Sequence, residues 1–449
     1  MQKKFIYILL LVMLVGHSCQ KSLDQQAQAG LDGKTAYTTK AGIEAGLLGV
    51  YDGLQQNGYF SLNYLLFPEL YADNLVWTGT FPTWAQVYNK TILPDNTDIA
   101  LIWNAIYSTI NRANNVIDAA PRIDDASFQK ERTIAECKVI RAMCYFDLIR
   151  MFGGSPEGYN KQGGLGVPLR LAATQTPADA KAIARATEAE VYTQILKDLD
   201  EAIAGLPDRI SVGRVNKYVA IALKSRLQLY RGQWADAELL ATAVITSPNN
   251  YSLVSGALYG SIYTEKNNSG ESLWELQYIA TDANTLAFYY YPSPSGRNEV
   301  SSSLSLRDAF EDGDWRKNVN FSSSPADKQL KYSKVNPGTD NVMIFRLAEL
   351  YLTRAEARAM QNNLDAARED LNVIRVRAGL QVSKVSDQSA LLSAIKKERR
   401  LELAHEGQRF FDLRRYNETG ITQTFRNLFP LPQSEITNSG NLVIQNPQY

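Results

Sequence analysis

The sequence predicts a mostly α-helical protein, in which antiparallel helical hairpins support a loop-rich region and a few short strands. Long stretches with apolar side chains at helical spacing indicate the helices, and one hairpin pattern occurs twice along the chain. Two other segments are rich in Gly, Pro, Ser and aromatic residues, which indicates loops. With 449 residues, 45% of them apolar, the chain can bury a large core.

The N-terminus has the pattern of an export signal. Two lysines precede the apolar run "FIYILLLVMLV", and the small residues Gly16 and Ser18 stand just before Cys19. Because a membrane-spanning helix needs about 20 apolar residues, this run is too short to remain in the membrane as a span. We predict that residues 1–18 form a signal peptide of the bacterial lipoprotein type and that Cys19 is the lipidated first residue of the mature chain. An ordinary signal peptide with an incidental cysteine is the alternative.

The mature chain divides into a short tether and one large domain. Residues 19–40 are polar and rich in Gly and Ala, which predicts a flexible tether, and residues 41–449 are predicted to form the domain. The helical scaffold is expected at about 98–250 and 340–416. Within the domain, helical spacing predicts helices that begin at or span the following residues: 41–51, 98–119, 129–151, 187–204 and 217–230.

One hairpin pattern occurs twice. The segment Ser225–Pro248 aligns with Ala355–Ala378 when Trp234 is paired with Leu364. Each copy has a small residue in its first helix, an aromatic residue or Leu at the turn, and Ala three residues later. Small side chains let two antiparallel helices approach closely, which is typical of tetratricopeptide hairpins. Any helical hairpin with alanines at its contact would show the same pattern, and two units so far apart do not predict a continuous solenoid.

Two segments lack helical periodicity and are predicted to be ligand-binding loops, at about 58–97 and 272–335. Within the second, "SLWELQYI" alternates apolar and polar residues, which predicts a short, half-buried strand over 272–279. Long irregular stretches inside a compact domain usually carry function.

Composition excludes several classes of site. The 47 basic residues are balanced by 47 acidic residues, and the sequence has no basic block, so binding to nucleic acid is not expected. His405 is the one histidine left after removal of the signal, so the common zinc sites are excluded, and we predict no metal and no cofactor. Cys137 and Cys144 stand two turns apart on a predicted helix, about 10.5 Å in rise, which is too far for a disulfide. They are expected to pack as small buried hydrophobes.

The segment "KKERRLELAHEGQRFFDLRRY" (Lys396–Tyr416) is dense in charge. On a continuous helix, Arg399 with Glu402 and Glu406 with Arg409 would be i,i+3 partners. We therefore predict a helix whose charges balance locally and whose apolar side chains, such as Leu401 and Phe410, pack inward.

Several motifs in order resemble the SusD/RagB family of outer-membrane lipoproteins from Bacteroidota. They are "ERRLELAHEGQRFFDLRRY", "LFPLPQSEI", the terminal "QNPQY", "RLAELYLTRAEA" with "LNVIRVRAGL", "AECKVIRAMCYFDLIRMFGGSP" and "GVPL", together with the signal that ends at Cys19. The resemblance covers nearly the whole chain.

This resemblance implies a tetratricopeptide-containing helical scaffold that binds a nutrient, usually an oligosaccharide, and catalyses no reaction. It also implies a lipid-anchored position at the outer membrane, facing the cell surface. The partner implied is a SusC-like TonB-dependent transporter, on which the helical repeat face would pack.

A neutral sugar presents hydroxyls and C–H faces, so its site needs exposed aromatic rings and planar polar side chains. Trp103, Trp234 and Trp274 stand in helical or strand patterns and are predicted to lie in the core. The residues predicted to bind the ligand lie in the two loop segments: Asp73, Asn74, Trp77, Trp84, Tyr290 (or its neighbours Tyr289 and Tyr291), Arg297 and Trp315. For each of them, structural packing is the alternative.

Three other functions fit parts of the sequence. A peptide-binding member of the same family would use the same fold, and the many tyrosines suit either ligand. A glycoside hydrolase would need two paired carboxylates, but no recognisable motif marks such a pair. A tetratricopeptide adaptor that binds only protein would need neither the lipid signal nor the aromatic loops.

Overall fold

The computed structural model describes residues 33–264, 269–324 and 326–449. The predicted signal peptide, Cys19 and residues 19–32 of the predicted tether lie outside these residues. Helices of the first half are α1 (Gly33–Ala36), α2 (Lys40–Leu54), α3 (Asn63–Tyr71), α4 (Pro82–Tyr88), α5 (Thr97–Ala119), α6 (Lys130–Phe152), α7 (Glu188–Gly205), α8 (Lys217–Tyr230) and α9 (Trp234–Ile245), with a 3-10 turn at Ala120–Arg122. The helices predicted from periodicity are confirmed to within one residue at their predicted ends, except that α2 continues three residues further, to Leu54.

The second half alternates short elements with a helical C-terminal part. Its helices are α10 (Ser261–Thr264), α11 (Leu286–Tyr290), α12 (Leu304–Ala309), α13 (Trp315–Asn320), α14 (Leu347–Met360), α15 (Leu364–Arg377), α16 (Gln388–Glu402), α17 (Arg409–Tyr416) and α18 (Gln433–Asn438), with 3-10 turns at Gly256–Leu258 and Thr424–Asn427. The strands are β1 (Leu75–Trp77), β2 (Ser272–Leu276), β3 (Val300–Ser302) and β4 (Val342–Arg346). The predicted mostly helical fold is confirmed.

Local sequence signals fix where several long helices begin. Asn96 accepts hydrogen bonds from the N–H groups of residues 98 and 99 at the start of α5, and Asn216 caps α8 in the same way. Thr187 and Glu190 form a reciprocal capping box at α7. Each cap satisfies N–H groups that have no partner inside the helix, and each is visible in the sequence.

The long helices pack on one another in series. Neighbours follow the order α2, α5, α6, α7, α8, α9, α14, α15 and α16. The two predicted hairpins are α8–α9 and α14–α15, and their second helices begin at Trp234 and Leu364, as the alignment predicts. The two hairpins are in contact in the fold, because α9 packs directly on α14. Alanines such as Ala241 and Ala355 are fully buried at these contacts.

Two small antiparallel sheets join distant segments. β1 pairs with β3, with Trp77 opposite Val300, and β2 pairs with β4. The prediction of a half-buried strand at β2 is wrong, since every residue from Ser272 to Leu276 is buried. Glu275 is tolerated inside because its carboxylate accepts a hydrogen bond from the Asn341 side chain.

The core contains the residues expected to be structural. Trp103 and Trp274 are buried, Trp234 is partly buried against the second hairpin, and Cys137 and Cys144 are buried free thiols on α6. Among the described helices, none is both long and apolar enough to cross a membrane.

The charged C-terminal motif contributes Glu402 and Glu406 to a buried ionic cluster, which we define as Glu271, Arg316, Lys331, Arg346, Arg377, Glu402 and Glu406. Arg346 lies 2.6 Å from Glu271, 2.7 Å from Glu402 and 2.9 Å from Glu406, each distance joining a guanidinium nitrogen to a carboxylate oxygen. Burial acts to raise the pKa of Glu402, but the surrounding guanidinium groups outweigh it and lower this pKa well below its ordinary value.

The predicted local charge balance is wrong. Arg399 pairs with Asp412 and Arg409 pairs with Asp73, instead of with residues three positions away. Glu402 lies on the same helix as Arg399 but pairs with Arg346 and Arg377. Glu406 and Arg409 are separated because the helix stops at Glu402, and residues 403–408 form a turn in which His405 and Gly407 have positive φ. The predicted inward packing of Leu401 and Phe410 is confirmed.

A buried carboxylate holds this turn in place. The Glu69 carboxylate, on α3, accepts backbone hydrogen bonds from His405, Gln408 and Arg409, at 3.1, 2.9 and 3.2 Å. A carboxylate at this position satisfies unpaired N–H groups at the start of α17 and fits the positive end of the helix dipole.

Candidate functional site

An aromatic patch lies where α4 meets α11, and we define it as Phe81, Trp84, Phe288, Tyr289 and Arg297. The ring centres of Trp84 and Tyr289 are 5.1 Å apart, and those of Phe288 and Tyr289 are 5.3 Å apart. Phe81 lies 5.5 Å from Trp84 and 6.1 Å from Tyr289. The Arg297 guanidinium stands 4.2 Å from the centre of the Phe81 ring, a cation–π distance.

The patch differs from the core in its access to solvent. Phe288 is 38% exposed, and Phe81 and Tyr289 are partly exposed. Monomeric soluble proteins leave few large aromatic rings together at the surface, so such a group is a candidate binding surface. Rings of this kind can stack on the C–H face of a sugar, and Arg297 can donate to its hydroxyls.

Sequence features position the rings. Pro82 occupies the first turn of α4, where its missing N–H costs no hydrogen bond, and this places Phe81 at the helix entrance. On the α11 side of the patch, the backbone N–H of Arg297 donates to the carbonyl oxygen of Phe288, and the backbone N–H of Glu299 donates to the carbonyl oxygen of Tyr289. These contacts fold residues 289–299 back along α11.

Glu299 connects the two sides of the patch. Its carboxylate accepts backbone hydrogen bonds from Thr80 at 2.8 Å and from Phe81 at 3.2 Å, and it pairs with Arg297 at 2.7 Å. Burial acts to raise the pKa of Glu299, but the hydrogen bonds from Arg297, Thr80 and Phe81 outweigh burial and lower this pKa. The ionised carboxylate therefore holds both Phe81 and Arg297 in place.

The expectation that Trp84 offers an open ring face is wrong. Trp84 is 2% exposed and packs edge-on against Phe67 of α3 at 5.7 Å. It lies under Phe81 and Tyr289, so its effect on a ligand would pass through those two rings. The segment around it was predicted as a loop because it lacks helical periodicity, but it forms helix α4.

Three other predicted residues are engaged inside the protein. Tyr290 is buried, and its hydroxyl lies 3.4 Å from His405 Nδ1, so its neighbour Tyr289 is the tyrosine at the patch. Asn74 is fully buried, donating to Glu69 and accepting from Arg400. Asp73 forms ion pairs with Arg400 and Arg409. The expectation that Tyr290 and Asn74 face a ligand is therefore wrong.

The last two predicted residues lie outside the patch. Trp77 is half-buried on β1, and its indole N–H is buried without an acceptor among the described residues. Trp315 is 40% exposed, but it lies against Gly379 after α15, where an added Cβ would be 2.6 Å from the indole. Of the predicted set, the structure brings Trp84 and Arg297 into one surface region, together with Tyr289.

Sequence reasoning missed Phe81, Phe288 and Glu299. The predicted ligand-binding rings were tryptophans and tyrosines, and the set did not include the phenylalanines of "GTFPTW" and "LAFYYY". The available signal was the position of Phe81 directly before a proline, which favours a helix entrance at the surface.

The chemistry of the patch is that of a binding surface. Two carboxylates act on Tyr289. Glu299 is already paired with Arg297 and two backbone N–H groups, and Asp98 accepts hydrogen bonds from the side chains of Thr83 and Asn63. Within the described part of the chain, no group of three or more His, Cys, Asp or Glu side chains is arranged to hold a metal ion.

Comparison with known proteins agrees with this fold. The family model described as "SusD family" matches residues 315–426, and the model described as "Starch-binding associating with outer membrane" matches residues 23–229. The chain belongs to the SusD/RagB family. The family resemblance of the sequence motifs is thus confirmed.

Relatives of this SusD/RagB protein cover nearly its full length. SusD-like protein P38 of Formosa agariphila is 26% identical, over 96% of this chain and 97% of the relative. A SusD superfamily protein from Bacteroides thetaiotaomicron superimposes with a TM-score of 0.81 at 26% identity, covering 91% of this chain and all of the other. A solved structure named "Laminarin binding SusD-like protein" has a TM-score of 0.77 at 27% identity, over 92% of this chain and 100% of that one.

Proposed function

We propose that this protein binds a neutral oligosaccharide at the outer membrane without transforming it. The observation that carries the proposal is the aromatic patch, in which Phe81, Phe288 and Tyr289 stay accessible while Arg297 is fixed above Phe81. Membership in the SusD/RagB family supports the same function, as does the laminarin-binding name of a structural neighbour.

Stacking and hydrogen bonding would both contribute to the affinity for the oligosaccharide. A pyranose ring has C–H groups on its faces, which pack on aromatic rings, and hydroxyls at its rim. Tyr289 can stack through its ring and hydrogen-bond through its hydroxyl, whereas Phe288 can only stack. By analogy with bases on aromatic platforms, each ring would contribute roughly 1–3 kcal/mol.

Non-catalytic binding fits the acids near the patch. Hydrolysis of a glycosidic bond needs two free carboxyl groups on opposite sides of the bond. Glu299 is bound by Arg297 and by the backbone of the 80–81 loop, which supports a role in positioning.

The same proposal includes anchoring and delivery. A lipid on Cys19 would hold the protein at the membrane, and a SusC-like TonB-dependent transporter would receive the ligand. The row of helices from α5 to α9 would supply the surface that packs on this transporter. Mass spectrometry of native material would show the acyl chains on Cys19, and an unmodified thiol there would contradict the anchor.

Titration calorimetry tests the binding site. We expect laminarihexaose or maltohexaose to bind the wild-type protein, and Phe288→Ala with Tyr289→Ala to weaken this binding at least about thirtyfold, because two rings are lost. Leu239→Ala is the matched control, since Leu239 is a 69% exposed apolar side chain on α9. Equal affinity in the double variant and the control would contradict the patch as the glycan site.

A further inference from the structure

A second pocket is formed by segments of the chain that do not contribute to the aromatic patch. It is formed by the α7–α8 connection, the segment after α9 and the beginning of β2, and its volume is about 590 Å³. Small-molecule sites typically enclose roughly 300–1,000 Å³. None of the described residues that line it is Asp or Glu, and its lining is rich in amides and hydroxyls.

Two buried amides direct the hydroxyl of Tyr251. Asn216 Nδ2 and Asn249 Nδ2 donate to Tyr251 Oη, at 3.4 and 3.0 Å. A phenol oxygen accepts two hydrogen bonds and donates one, so the O–H of Tyr251 remains to donate to another group. The Asn216 carbonyl oxygen is already used to cap α8, and this keeps the amide nitrogen turned towards Tyr251.

A buried hydroxyl without a partner also lines the pocket. Ser272, the first residue of β2, is 4% exposed, and its Oγ has no hydrogen-bond partner within the described chain. An unsatisfied buried polar group costs about 1–3 kcal/mol, which a ligand hydroxyl would recover. Exposed Arg209 adds a planar donor at the rim.

We propose that this pocket is a second site for a neutral polyhydroxylated ligand, in the form of one or two sugar units. Ser272 Oγ and Tyr251 Oη would exchange hydrogen bonds with ligand hydroxyls, and the partly exposed Tyr251 ring would cover a sugar face. A cation would lack carboxylate ligands here. The identity of the ligand as a glycan rests on the proposed function, but the two sites use different segments and are separable by mutation.

Ser272→Ala is the decisive variant. Because its Oγ has no partner among the described residues, its removal should leave folding intact while it removes a ligand contact. Calorimetry with laminarihexaose and with maltohexaose would compare the wild type with Ser272→Ala, Tyr289→Ala and the surface control Ser393→Ala. We expect two binding sites in the wild type and the control, with Ser272→Ala weakening one of them roughly three- to tenfold.

The outcomes separate the two proposals. A single site that only Tyr289→Ala weakens would overturn the second site and keep the proposed function. A single site that only Ser272→Ala weakens would support the pocket and overturn the patch. Absence of binding of both oligosaccharides would contradict both proposed sites.

Discussion

The buried ionic cluster and the aromatic patch both place arginines beside carboxylates and rings, but water reaches only one of them. The Arg346 side chain is 1% exposed and contacts three carboxylates, whereas the Arg297 side chain is 44% exposed and contacts one. In the cluster, internal partners surround every charge. In the patch, Glu299 fixes one side of the arginine and the other side stays open for a ligand.

The comparison shows that the residues of a motif dense in charged side chains can be constrained by the structure that they stabilise. The cluster includes Glu402 and Glu406 of the motif that most clearly indicates the family, and its residues stabilise the turn and helices around these two carboxylates. The patch comes from segments with weak sequence patterns, where variation in a few rings can change the ligand without disturbing the fold.

The largest expected effect tests the cluster. Arg346→Met should cost at least about 3–5 kcal/mol of unfolding free energy, because Glu271, Glu402 and Glu406 would lose a shared partner inside the protein. Urea denaturation measures the loss. Arg112→Met is the control, since the ion pair of Arg112 with Asp52 is largely exposed and should contribute less than about 1 kcal/mol. Similar losses in both variants would contradict the distinction by burial.

His405 links the two regions, because it adjoins Glu406 in sequence and contacts Tyr290 and Ser302. Burial, with a smaller effect of Lys331, lowers the pKa of His405 from 6.5 to about 3. As pH falls below 6.5, the unfolded chain binds a proton that the folded chain does not, so stability present above this pH is lost. We expect about 1.4 kcal/mol per pH unit, or about 2 kcal/mol between pH 6 and 4.5.

Comparison with His405→Asn isolates this titration from that of the carboxylates. Asn tolerates the positive φ of 67° at this position but has no proton to gain. Urea denaturation at a series of pH values should show a flatter stability curve for the variant. A curve as steep as that of the wild type would show that other groups cause the loss in acid.

Gly79→Ala tests how the patch is held. An added Cβ would lie 1.7 Å from Glu299 Oε2 and 2.7 Å from Glu299 Cα, so Glu299 would have to move. We expect Phe81 and Arg297 to lose their positions and affinity for laminarihexaose to fall about tenfold. Gly49→Ala is the control, because nothing lies within 4 Å of its added Cβ. Unchanged calorimetric affinity in Gly79→Ala would show that Glu299 does not organise the site.

The smallest expected effect concerns Trp315. Because it lies against Gly379, outside the patch, Trp315→Ala should change affinity for the same oligosaccharides less than about twofold. The Phe288→Ala and Tyr289→Ala double variant provides the contrast. A loss of similar size from Trp315→Ala would return this residue to the ligand site and extend the patch towards α13.

Local elements of the fold were predictable because their causes are local. The bounds of α8 follow from the Asn216 cap and from apolar spacing within the segment, and Trp234 marks the start of α9. The packing of α9 on α14 was not predictable, since about a hundred residues separate them and their contact depends on the elements between. The turn at 403–408 was likewise missed, because Glu69, which stabilises it, is distant in sequence.

The sequence alone determined the family, the helical hairpins and the general place of aromatic residues in two loop segments. Only the tertiary structure decided which rings are accessible. Trp84 is covered by Phe67 and Tyr289, and Tyr290 faces His405, whereas Phe288 stays at the surface. The physical reason is that exposure depends on what distant segments place over a side chain, and residue type and spacing do not encode that for a single ring.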